Sequence, residues 1–109
     1  MSFYTVRVDS IIKRKLQIAA WYLVNVSHCS RKSAVRKIEN IEKKIISLES
    51  DPARIPVMLG EPFHKMGIRR VTVEDCSIFF TIDDNAMTVD VFDIYPARSD
   101  FENELEKYM

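Results

Sequence analysis

The chain predicts an α+β fold, an antiparallel sheet packed on an N-terminal helical hairpin in the order β-α-α-β-β-β-α. Two observations lead there. Between residues 10 and 48, apolar side chains recur at helical spacing in two stripes separated by a short break. Between residues 68 and 94, three alternating, β-branched or aromatic segments are separated by short polar turns.

Phe3 to Val8 alternates and reads as the first strand. Asp9 or Ser10 follows as a helix cap, since a short oxygen-bearing side chain accepts from the open amides of a first turn. Ile12, Leu16, Ala19 or Ala20, and Leu23 then form one stripe on a helix ending near Val26. Ser27-His28-Cys29-Ser30 is a break, and Ser30 can cap a second helix carrying Ala34, Ile38, Ile41, Ile45 and Leu48. This second stripe is the strongest periodic signal in the chain. It spans too few heptads for a coiled coil and reads as core packing. The short link makes the two helices an antiparallel hairpin.

Asp51-Pro52 stops the second helix, and three prolines and a glycine make 52–66 a loop. Ile68–Val73, Ser77–Ile82 and Met87–Ile94 read as strands joined by Glu74-Asp75 and by Asp83-Asp84-Asn85. Pro96 ends the sheet, and Ser99 or Asp100 can cap a last helix from Phe101 to Tyr108. No repeat or linker divides the chain, so residues 1–109 read as one domain.

The 109 residues are 47% hydrophobic and carry no net charge, enough apolar material for one core without disulfide staples. Two glycines and four prolines exclude a fibrous or low-complexity chain. No apolar run approaches the ~18 residues of a membrane helix, and Met1–Asp9 lacks a signal peptide's apolar core, so no membrane and a cytoplasmic location are expected. Cys29 and Cys76 belong to no metal-binding spacing, and with only His28 and His64 to join them neither metal nor cofactor is expected. The charge is unevenly placed: residues 1–50 net +6 and residues 51–109 net −6. That asymmetry points to an acidic partner for the basic half.

Several segments, taken in order, resemble the RelE/ParE superfamily, the toxins of type II toxin–antitoxin systems. They are Leu48-x-x-Asp51-Pro52 at the end of the second helix, Gly67-x-Arg69-Arg70-Val71, Ile78-Phe79-Phe80-Thr81-Ile82-Asp83, and the closing Ile94-x-x-x-Arg98-x-Asp100-Phe101. The resemblance covers nearly the whole chain. It implies a toxin held by a cognate antitoxin, with one of two activities. RelE-like members enter the ribosome and cut mRNA as metal-independent endoribonucleases; ParE-like members poison DNA gyrase without chemistry of their own. Fold does not choose between them.

The closing arginine and the arginine pair lean the reading towards an mRNA interferase. Attack by a 2′-hydroxyl needs a base, an acid for the leaving oxygen, and cations on the developing phosphorane. Arginine suits the last role because its fork matches two phosphate oxygens. The candidates are Arg69, Arg70 and Arg98, with His64 and Lys65, and Glu61 beside them, as acid or base, and Tyr95 and Phe101 to stack on a base. Strand alternation sends Arg69 and Arg70 to opposite faces, so only one of them can serve a given site, with a slight preference for Arg69. Two departures favour the alternatives, a gyrase-directed toxin or an activity-weakened interaction module on the toxin fold. Pro96 stands where the family's closing segment often has histidine, and the sheet half is the acidic half.

Overall fold

A computed structural model describes residues 3–97 and 101–105. The elements are β1 (Thr5–Val8), α1 (Ser10–Asn25), α2 (Arg31–Ser47), a 3₁₀ turn (Pro52–Arg54), β2 (Arg69–Val73), β3 (Cys76–Asp83), β4 (Thr88–Pro96) and α3 (Phe101–Leu105). The α+β class and the element order are those expected. Arg98, Ser99 and Asp100, the continuation to Tyr108, and the side chain of Phe101 lie outside the described residues.

The caps form where short polar side chains precede an apolar stripe. The Asp9 carboxylate accepts from the Ile11 amide at 3.0 Å, and the Ser30 hydroxyl from the Ser33 amide at 3.1 Å. The chain leaves α2 through Asp51, whose φ of 47° is left-handed, and Pro52 then begins the 3₁₀ turn.

The strands lie in the order β1-β4-β3-β2. β2, β3 and β4 form the expected antiparallel meander, with Val71 opposite Ile78 and Ile78 opposite Ile94. One pairing refines the all-antiparallel expectation. β1 runs parallel to β4, with Val6 beside Val89 and Val8 beside Val91. A parallel pair needs a long crossover rather than a turn, and here everything from α1 to β3 supplies it. No local signal in a four-residue strand announces a partner some eighty residues away.

The hairpin covers one face of the sheet. Ile12 of α1 and Ile41, Ile45 and Leu48 of α2 pack on Ile78, Phe80, Val89, Val91 and Ile94, with Val71, Val73 and Ile82 at the margin. The other face is covered too: Phe63 and Ile68 from the long loop and Leu105 from α3 close over Phe79 and Tyr95. Phe79 and Phe80 are therefore both fully buried, on opposite faces. Each such burial contributes roughly 2–3 kcal/mol of apolar transfer free energy.

A bulge interrupts β3–β4. Phe79 faces Asp93 and Phe80 faces Val91, so Phe92 is the extra residue. Val89 and Val91 face the hairpin before it, and Ile94 after it. The sequence carries a trace of this switch in the adjacent apolar pair Val91-Phe92.

Candidate functional site

Two surfaces of the described residues gather candidate groups. One is a groove on the outside of the hairpin; the other is the sheet face away from it.

The groove follows from the sequence of α1. Between Lys15 and Arg31 this stretch has no Asp, Glu, Lys or Arg, and its apolar residues outnumber the positions its core-facing stripe can use. The surplus lies outside: Ile18, Trp21 and Tyr22 are exposed by 59%, 62% and 53%. Trp21, Ala20 and Val24 of α1 meet Ala34, Val35 and Ile38 of α2 across an open groove of about 530 Å³. Arg31, Glu39 and Glu42 stand at its rim. Next to the Glu39 side, α2 presents Lys32, Arg36 and Lys43 within one narrow sector of its outer surface, as the 100° helical step dictates. All three are exposed.

On the far sheet face, adjacent strands place a row of polar groups. Arg70 Nε donates to Ser77 Oγ at 2.9 Å, and Ser77, fully buried, lies opposite Tyr95 in the β3–β4 register. The Tyr95 hydroxyl donates to Asp93 Oδ2 at 2.7 Å. Asp93 is fully buried and forms an ion pair with Lys15, whose ammonium also stands 3.8 Å from the centre of the Tyr95 ring. Phe79 meets the same ring edge-on at 6.0 Å between centroids.

The structure distributes the sequence candidates as follows. Arg70 and Tyr95 share the far face. Arg69 points the other way and donates to the carbonyl oxygens of Ala53 and Ile55, so it fastens the 3₁₀ turn to β2. The weak preference for Arg69 over Arg70 therefore finds no support from the face each occupies. Tyr95 is only 7% exposed, its ring shared between Phe79 and Lys15. His64 and Lys65 are exposed on the loop between the 3₁₀ turn and β2, where His64 Nδ1 lies 3.5 Å from a Glu61 carboxylate oxygen and the Lys65 amide donates to Glu61. Arg98 and the Phe101 side chain lie outside the described residues.

Sequence reasoning missed Ser77, Asp93 and Lys15. A charged residue flanked by Phe92 and Ile94 in a strand was the available signal for Asp93. Its lysine comes from 78 positions earlier, which no local pattern reveals. Of the cysteines, Cys76 is half-buried, and burial, with the charges of Asp75 and Glu74, pushes its thiol pKa up.

No protein-family model and no curated protein matches the chain. Solved structures do. The chromosomal ParDE toxin–antitoxin system of P. aeruginosa superposes with a TM-score of 0.67 at 15% identity, covering 88% of this chain and 98% of that one. The RelBE2 toxin–antitoxin complex of Mycobacterium tuberculosis gives 0.57 at 19%, covering 88% and 93%. The archaeal RelE–RelB complex of Pyrococcus horikoshii gives 0.57 at 11%, covering 89% and 99%. The chain therefore has the RelE/ParE toxin fold. Among the described residues no helix is long and apolar enough to cross a membrane.

Proposed function

We propose that this chain is the toxin of a type II toxin–antitoxin pair, and that an amphipathic helical segment of its antitoxin lies in the α1/α2 groove. The observation that carries this is the groove itself, on a RelE/ParE fold. A Trp exposed by 62% beside an open apolar groove is costly on a chain with no partner. An aromatic anchor of this kind is what binding hot spots are made from. The basic sector of α2, with Lys32, Arg36 and Lys43, suits a segment whose outer face is acidic. Helix-in-groove recognition needs anchors at i, i+3 or i+4, and i+7, and the partner should present apolar residues at that spacing.

For the target, the far-face geometry favours a binding activity of the gyrase-directed kind over mRNA cleavage in the ribosome. Arg69 is committed to main-chain carbonyls on the opposite side from Arg70, and Tyr95 is buried under Leu105 and Phe63 rather than presented for stacking. Arg69 and Arg70 thus do not serve one phosphate-sized site together.

The experiment is induction in a bacterial cell with pulse labelling of thymidine and methionine incorporation, with and without the small protein encoded beside it. Growth arrest relieved by that protein supports the toxin reading. Early loss of thymidine incorporation supports the gyrase-directed activity, and early loss of methionine incorporation makes the ribosome the target. Unimpaired growth at full expression of folded protein removes the toxin reading.

A further inference from the structure

The two walls of the α1/α2 groove differ in charge. α1 lines it with Ala20, Trp21, Val24 and Asn25, none of them charged. Every charge that lines the groove stands on α2: Arg31 at one end, Glu39 and Glu42 at the other. Glu42 is eleven residues on from Arg31. The two therefore stand about 16 Å apart, on one line of the helix to within about 20°. Between them that wall is apolar, with Ala34, Val35 and Ile38. The groove is thus cationic at the end near the hairpin link, apolar in its middle and anionic at the far end.

These charges have no counterpart within the fold. Arg31, Glu39 and Glu42 are exposed, and among the described residues none of them makes an ion pair. Nor does α2 supply a counter-charge to either end of its own groove line. Arg31 has Ala34 and Val35 at i+3 and i+4, and Glu42 has Ile38, Glu39, Ile45 and Ile46 one turn to either side. Arg31 also opens α2, whose first turn holds no acid, so its charge stands against the positive end of the helix dipole. A charge that its own chain neither pairs nor favours is left for a counter-charge from outside.

Resting on the reading that an antitoxin helix lies in this groove, we infer that the seated segment is charge-polarised. It carries an acidic residue over Arg31 and a basic residue over Glu42, about three helical turns apart, with its apolar anchors between them. The apolar middle accepts any amphipathic helix of the right spacing. The charged ends select among such helices and fix which way the chosen one runs, because a helix laid in reversed sets acid over acid and base over base.

The test is titration calorimetry on the full chain with the small protein encoded beside it. Arg31→Glu should weaken binding at least about tenfold, and the pair Glu39→Lys with Glu42→Lys should do the same. Both losses should shrink as salt is raised, while that of Trp21→Ala should not. Arg31→Glu puts an acid into the first turn of α2, so its melting midpoint should hold or rise even as its binding falls. A merely structural role would move the two together. Reversing the acidic residue at one end of the bound segment to Lys should restore affinity to Arg31→Glu and not to the Glu39/Glu42 pair. If Trp21→Ala weakens binding and either reversal leaves it within about twofold of the parent, or tightens it, the groove reading stands and the charge-polarised partner is overturned. If Trp21→Ala has no effect, both fall. Should the Glu39/Glu42 reversal lower the melting midpoint, Glu42→Gln alone tests that end: a several-fold loss of affinity upholds the inference and an unchanged affinity overturns it.

Discussion

Asn40 on α2 donates from Nδ2 to a Glu74 carboxylate oxygen at 3.1 Å, reaching across to the two-residue turn between β2 and β3. Both turn residues are left-handed: φ is 51° at Glu74 and 59° at Asp75. A two-residue hairpin demands that geometry, and Asn-Gly accepts it with least strain. Each ordinary side chain held there costs about 1 kcal/mol. Replacing Glu74-Asp75 by Asn-Gly should stabilise the protein by about 1 kcal/mol net of the exposed Asn40 contact. In a domain of this size that is a rise in Tm of roughly 4–8 °C, readable by calorimetry. An unchanged or lowered Tm would show the turn to be unstrained.

Trp21 separates partner binding from folding. At 62% exposure it contributes little to the core, so Trp21→Ala should move the urea midpoint by less than about 0.5 kcal/mol equivalent. If an antitoxin helix lies in the groove as proposed, the same change should weaken its binding by at least about 2 kcal/mol, about thirtyfold. Titration calorimetry with the antitoxin measures it. A variant that binds as tightly as the parent would place the partner elsewhere.

The two neighbouring arginines should behave differently. Arg69→Ala removes a charged donor from the carbonyls of Ala53 and Ile55 and should destabilise the fold by about 1–2 kcal/mol. Arg70→Ala frees the fully buried Ser77 hydroxyl of its donor and cuts into the far-face polar row. If that row serves a target, toxicity should fall with Arg70→Ala more than its stability loss explains. Parallel urea melts and growth assays on both variants decide it, and equal loss of toxicity at equal stability would assign neither residue a special role.

Cys76 makes stability depend on alkaline pH. Its folded pKa lies above the ordinary thiol value of 9.0, first because of burial and then because Asp75 and Glu74 repel the thiolate. The folded state therefore holds its proton where the unfolded chain has begun to release it. The contribution is complete below the unfolded pKa and is lost as pH climbs through the folded one. Cys76→Ser should flatten part of the stability loss above about pH 8.5 in urea titrations. Native alkylation of Cys76 at neutral pH should be slower than in denaturant.

The secondary elements were largely legible because their signals are local. Asp9 and Ser30 cap helices in the fold as the cap rule requires, and Ala34, Ile41, Ile45 and Leu48 are buried as their spacing predicts. The hairpins around Glu74-Asp75 and Asp83-Asp84-Asn85 follow from polar residues between alternating strands. The candidate site was legible only in part. Arg69 and Arg70 were rightly divided between two faces, but the sequence held no information on which face α3 and the loop would cover, and so none on the burial of Tyr95.

By itself, then, the chain's order of residues determined the α+β class, the succession of its elements and a hairpin with more apolar surface than its core could use. These depend on periodicity and caps, which act within a few residues. Only the tertiary structure decided that β1 lies parallel to β4, that Phe92 bulges, and that Lys15 of α1 reaches Asp93 of β4. Each of those joins residues far apart in the chain. Their contact free energy has to outweigh a loop-closure entropy that leaves no mark on local sequence.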